Sequence, residues 1–75
     1  MDNVLLAEAK ICLLTLHKYV CEGDEIYNFR LEEILSVTPQ VEIEAMLFGW
    51  LASKGLWDNG IVASKLIELA RKELL

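Results

Sequence analysis

Apolar and polar residues recur along this chain with the period of helices, not of strands. Between Asn3 and Glu22, Leu5, Leu6, Ala9, Cys12, Leu13, Leu16, Tyr19 and Val20 share one broad helical face. A second, narrower stripe holds Val4, Ala7, Ile11 and Leu14, and Lys18 interrupts it. A helix with two apolar stripes is either sandwiched in a core or paired with a partner. Gly23 is its natural stop. A second, short helix is expected over Phe29–Val37, capped by Asn28, with Leu31, Ile34 and Leu35 as its apolar face. Just before it, Ile26-Tyr27 is too short a pair to make a strand. A third helix is expected over Pro39–Lys54, with Thr38 as N-cap, Pro39 at the first helical position and Gly55 as terminator. One of its faces carries Ile43, Met46, Leu47, Trp50 and Leu51, the other Val41, Ala45, Phe48 and Ala52.

Only Ser36-Val37-Thr38 separates the second and third helices, a spacing suited to a helix-turn-helix. The next segment, Gly55 to Val62, permits two readings. Asn59-Gly60 is the strongest hairpin signal in the chain and would pair Leu56-Trp57 with Ile61-Val62. Alternatively Asp58 caps a helix that starts almost at once, which the helical pattern from Val62 onward slightly favours. That last segment, to Leu75, places Val62, Ala63, Leu66, Ile67, Leu69, Ala70 and Leu74 on one side. Lys65, Glu68, Arg71 and Lys72 lie on the other.

Composition sharpens this picture. At 75 residues the chain is one small domain, with no repeat and no low-complexity stretch. Its 55% apolar content excludes a disordered tail and exceeds what so short a chain easily hides, so apolar surface is expected outside the monomer core. Glu8, Lys10, His17 and Lys18 interrupt the first apolar run, so no membrane span is expected. The opening Met1-Asp2-Asn3 lacks the basic start of a secretory signal, and a reducing cytoplasm is the expected location. Cys12 and Cys21, nine residues apart on one helix, would stand about 13.5 Å apart along its axis, which excludes a bridge between them.

The stretch from Phe29 to Trp57 resembles the core of a winged helix-turn-helix domain. A short helix precedes a Ser/Thr-capped longer one, and Leu51-Ala52-Ser53-Lys54-Gly55-Leu56-Trp57 matches the superfamily's ending before the wing. The resemblance covers about 30 of the 75 residues and implies a domain whose usual work is binding DNA. Two features depart from it. Any wing is reduced to an Asp58-Asn59-Gly60 turn, and the charge has the wrong sign. Residues 22–44 hold Glu22, Asp24, Glu25, Glu32, Glu33, Glu42 and Glu44 against Arg30 alone, a sum of −6 within a chain of net charge −5. A helix-turn-helix presses these elements against phosphate, whereas this surface repels it. The same carboxylates also suit a bland role, since acids in the first turn of a helix favour its macrodipole.

Candidate chemistry is sparse. His17 and Cys21 are four residues apart on one helix face, but two ligands do not make a metal site. Adjacent Glu32 and Glu33 diverge by about 100° and cannot converge on a substrate. No enzyme, cofactor or metal is expected. Trp50 reads as core, while Trp57, beside a turn, is equally suited to core and interface.

The chain therefore reads as an all-α or nearly all-α domain of about four helices, with a central helix-turn-helix and at most a minimal wing hairpin. The expected function is that of a small acidic protein–protein interaction module or regulator, acting through an apolar helix face rimmed by carboxylates. The candidate interface residues are Val41, Ala45, Phe48, Trp57 and Glu42 on one side and Ala7, Ile11 and Leu14 on the other, with self-association through one stripe. A second reading is a dimeric DNA-binding regulator using Lys54, Lys65, Arg71 and Lys72. A third is a DNA mimic whose acids imitate phosphates along a ridge.

Overall fold

The computed structural model describes residues 3–22, 30–58 and 60–75, without the side chains of 20–22. Four helices follow one another: α1 (Asn3–Glu22), α2 (Leu31–Val37), α3 (Gln40–Ser53) and α4 (Ala63–Leu74). No strand occurs among the described residues. The architecture is all-α. None of the helices is long and apolar enough to cross a membrane.

The two faces of each helix decide how they assemble. α4 packs against both α1 and α3, α1 also meets α3, and α2 docks on α1. The core draws Ala9, Cys12 and Leu13 from α1, Leu35 from α2, Ile43, Leu47 and Leu51 from α3, and Leu66, Ile67 and Ala70 from α4. Each of these is at most 2% exposed. Burial pushes the Cys12 thiol up to about 11, with the nearby Glu8 charge adding to the shift, so the sulfur stays protonated and behaves as a small apolar group. Tyr19, grouped with this face by its spacing, is 79% exposed, and Val62 is 62% exposed. Both lie at the edge of their segment, where the neighbouring helices no longer cover them.

The helix ends correct several sequence expectations. α2 begins at Leu31, and Arg30 occupies the cap position without a side-chain cap bond. The proposed Asn28 cap, Phe29, the Ile26-Tyr27 pair and Gly23 lie outside the described residues. Thr38 does not cap α3. Its hydroxyl and its N–H both donate to the Ile34 carbonyl, at 2.6 and 3.0 Å, closing the end of α2 instead. Pro39 takes the cap position, its carbonyl accepting from Ile43 N–H at 3.2 Å, and α3 starts at Gln40. A proline has no N–H to leave unpaired there. Asp58 does not cap α4 either. Its carboxylate accepts from Gly60 N–H at 2.7 Å and its carbonyl from Ile61 N–H at 3.2 Å, so it builds a turn. Val62 caps α4. Leu56-Trp57 and Ile61-Val62 form no hairpin. Instead Leu56, Trp57 and Ile61 pack against the core.

Gly55 ends α3 as expected, at φ +69°. Leu56 N–H reaches back to the Leu51 carbonyl at 2.9 Å and Gly55 N–H to that of Ala52 at 3.1 Å, the paired bonds of a Schellman stop. Gly49 is the opposite case, a mid-helix glycine on the outer side of α3 with nothing within 4 Å of where a Cβ would stand.

These features give opposite signs for two glycines. Gly55→Ala forces a side chain into the left-handed region and should destabilise by about 1–2 kcal/mol, whereas Gly49→Ala should stabilise by about 0.5–1 kcal/mol. Leu51→Ala, emptying a fully buried site, should cost about 2–5 kcal/mol. Urea unfolding followed by far-ultraviolet circular dichroism measures all three.

Candidate interaction surfaces

A three-residue contact joins α1 to α3 at the surface. Trp50 is half-buried, and its indole N–H donates to Glu8 Oε2 at 2.8 Å. Lys54, one helical turn further along α3, brings its ammonium to 3.5 Å from the same oxygen and 5.4 Å from the Trp50 ring centroid. One carboxylate therefore satisfies the indole and draws the lysine across its face. The indole hydrogen bond, with the Lys54 charge beside it, holds the Glu8 carboxyl below its ordinary value despite partial desolvation. Glu8 was not among the residues singled out from the sequence. A half-buried Trp needs an acceptor, but periodicity does not say which one.

On the far side of α1, Lys10 pairs with Glu73 of α4 at 3.8 Å. The exposed Lys18 interrupts the outer stripe of α1 itself, while Glu8 and Lys10, on either flank of it, are thus engaged by their own molecule. Thr15 behaves similarly, donating to the Ile11 carbonyl at 2.8 Å.

All the anticipated apolar interface residues on the two long helices lie outside the core. On α1, Ala7 is exposed, and Val4, Ile11 and Leu14 are 54%, 48% and 45% exposed. On α3, Ala45 and Ala52 are exposed, Val41 is 69% exposed and Phe48 49%. Trp57 is partly buried and meets Phe48 edge-on, with ring centroids 4.7 Å apart and planes at 74°. The structure thus brings Phe48 and Trp57 together. The α1 and α3 stripes stay on different helices, each facing away from the core.

Charge distinguishes the two faces. At 100° per residue, Glu44 falls about 70° to one side of the centre of the Val41/Ala45/Phe48/Ala52 stripe, and Glu42 about 90° to the other. No cation of the described residues lies within ion-pair distance of either. Glu32 and Glu33 are exposed on α2, whereas Asp24, Glu25 and the Glu22 side chain lie outside the described residues. Of the cations assigned to a DNA-binding face, Lys54 is engaged by Glu8, Lys65 and Lys72 are exposed and Arg71 is half-buried. His17 is half-buried, and the Cys21 side chain lies outside the described residues. A depression of about 390 Å³ opens beside the Asp58 turn, lined by Leu5, Asp58, Ile61, Val62, Lys65 and Leu66. Its opposed Asp58 and Lys65 charges favour neither an anion nor a cation.

Comparison with known proteins finds no matching family model, no matching curated protein and no matching solved structure. The winged helix-turn-helix likeness stands on the pattern from Phe29 to Trp57 alone.

The Glu8 contact carries a pH dependence with a definite sign. A carboxyl held low in the folded state stabilises fully above its unfolded value near 4.5, and that stability fades as pH falls through its lower folded value. Glu8→Gln keeps an acceptor for Trp50 but removes the charge. The stability gap between the two proteins, measured by urea midpoints, should be widest near pH 7 and should close as the pH drops below about 4.

Proposed function

We propose that this protein is a small acidic protein-binding module whose working surface is the outer face of α3, and that its partner presents a basic amphipathic helix. The supporting observation is the apolar stripe Val41/Ala45/Phe48, left exposed on α3 with an unpaired glutamate on each flank. The apolar seat supplies affinity by removing Phe48 and Val41 from water. Trp57, edge-on to Phe48, widens the seat and acts as an aromatic anchor. Glu42 and Glu44 select the sign of the incoming helix, since like charges would face them across the contact at a cost while lysine or arginine would pair. Gly49, with open space around it, lets a partner helix approach the α3 backbone closely. The same carboxylates oppose phosphate, which is why protein is favoured over nucleic acid.

A synthetic 18-residue helix of leucine and lysine, and its leucine–glutamate counterpart, separate the apolar and electrostatic contributions. The protein should bind the first and not the second, with affinity falling as salt is added. Phe48→Glu should keep native helicity and lose binding at least tenfold. A purely electrostatic association would instead be strengthened by that extra negative charge, and an unfolded Phe48→Glu would place Phe48 in the core. Either result defeats the proposal.

A further inference from the structure

The depression beside the Asp58 turn lies where three parts of the chain meet. Leu5 comes from α1, Lys65 and Leu66 come from α4, and Asp58, Ile61 and Val62 come from the segment between α3 and α4. Its volume of about 390 Å³ stands at the small end of the range for ligand sites, roughly 300–1,000 Å³, so it suits a small molecule better than a polymer chain. No residue of the outer face of α3 lines it. The site is therefore separate from the surface assigned to a partner helix.

The lining combines an aliphatic floor with two opposite charges. Leu5, Ile61, Val62 and Leu66 supply the floor, and Asp58 and Lys65 supply the charges. Although both charged residues line the same depression, no ion pair joins them, and neither is paired with another described charge. The Asp58 carboxylate is oriented from behind. Its Oδ1 accepts from Gly60 N–H at 2.7 Å, which fixes the group and leaves its second oxygen for another donor. Lys65 is exposed, and its flexible stem lets the ammonium reach across the opening.

These features discriminate among ligand chemistries. A purely anionic ligand is repelled by Asp58, and a purely cationic one by Lys65. A wholly apolar ligand takes water from both charges and gives neither a partner. A molecule with an ammonium, a carboxylate and an aliphatic group satisfies all of the lining at once. We propose that this depression binds a free α-amino acid with a large aliphatic side chain. The ligand's ammonium donates to Asp58, its carboxylate accepts from Lys65, and its side chain lies on Leu5, Ile61, Val62 and Leu66. The two charge-assisted bonds set the orientation, and burial of the side chain supplies affinity. So small a ligand binds modestly. Because it touches α1, the turn and α4 together, it binds the folded chain alone and stabilises it by mass action.

Two-dimensional proton–nitrogen NMR of the full chain, titrated at pH 7 with L-leucine to 20 mM, tests the assignment. The amides of Gly60, Ile61, Val62 and Lys65 should shift saturably, and thermal unfolding should move upward over the same concentrations. N-acetylleucine lacks the ammonium, leucinamide lacks the carboxylate and glycine lacks the side chain. Each should bind at least tenfold more weakly. Asp58→Asn keeps an acceptor for Gly60 N–H but not the charge, and Lys65→Gln alters an exposed side chain. Both variants should keep native helicity and lose leucine binding at least tenfold. Phe48→Glu, which removes the helix-binding surface of α3, should leave leucine binding unchanged, so either site can fail without the other. The absence of a saturable shift with leucine overturns the proposal. So does N-acetylleucine or leucinamide binding as tightly as leucine, or undiminished binding in either charge variant. Shifts confined to Val41, Ala45 and Phe48 would place leucine on α3 and overturn it equally.

Discussion

The seating of α4 between α1 and α3 is the constraint on which the rest of the molecule depends. Leu66, Ile67 and Ala70, each at most 1% exposed, fill the space between the Ala9/Cys12/Leu13 face of α1 and the Ile43/Leu47/Leu51 face of α3. The two fully buried alanines, Ala9 and Ala70, have the small side chains that let α1 and α4, which pack directly together, come close. Without α4, α1 and α3 would expose their inner faces as well as their outer ones. Among the described elements only the seven-residue α2 would remain, and it packs on α1 alone.

That geometry explains why so much apolar surface remains outside. α4 has one apolar side and spends it on the core. α1 and α3 each have two, and the three-way packing uses one of each. The outer residues Ile11, Leu14, Val41 and Phe48 are therefore a consequence of having two two-faced helices and only one helix to lay between them. Polar contacts follow the same layout. Glu8 ties α1 to α3 through Trp50 and Lys54, and Lys10 ties α1 to α4 through Glu73, so the rims of the core are bridged where its apolar contacts end. Exposed ion pairs of this kind add little stability individually.

The two outer faces then differ by what surrounds them rather than by their own apolar content. The α3 stripe lies between Glu42 and Glu44 and beside the Phe48–Trp57 pair, the arrangement on which the proposed cationic partner rests. The α1 stripe lies between Glu8 and Lys10, both engaged within the fold, and is interrupted by the exposed Lys18.

Much of this was legible from periodicity alone. The spacing of Ile43, Leu47 and Leu51 and of Leu66, Ile67 and Ala70 determined the inner faces, the second stripes on α1 and α3 announced surplus apolar surface, and Gly55 marked the end of α3, because only glycine enters the left-handed region cheaply. Local chemistry was less decisive at the caps. Thr38 and Asp58 have side chains that can bond either forward or back along the chain, and both were taken up by the neighbouring turn rather than by the next helix. The contacts of Glu8 were decided only by the tertiary structure, since an acceptor 42 residues away in sequence from its donor leaves no local trace. So was the contrast between the two outer faces, because whether a flanking charge is spent or available depends on which helix the fold places beside it.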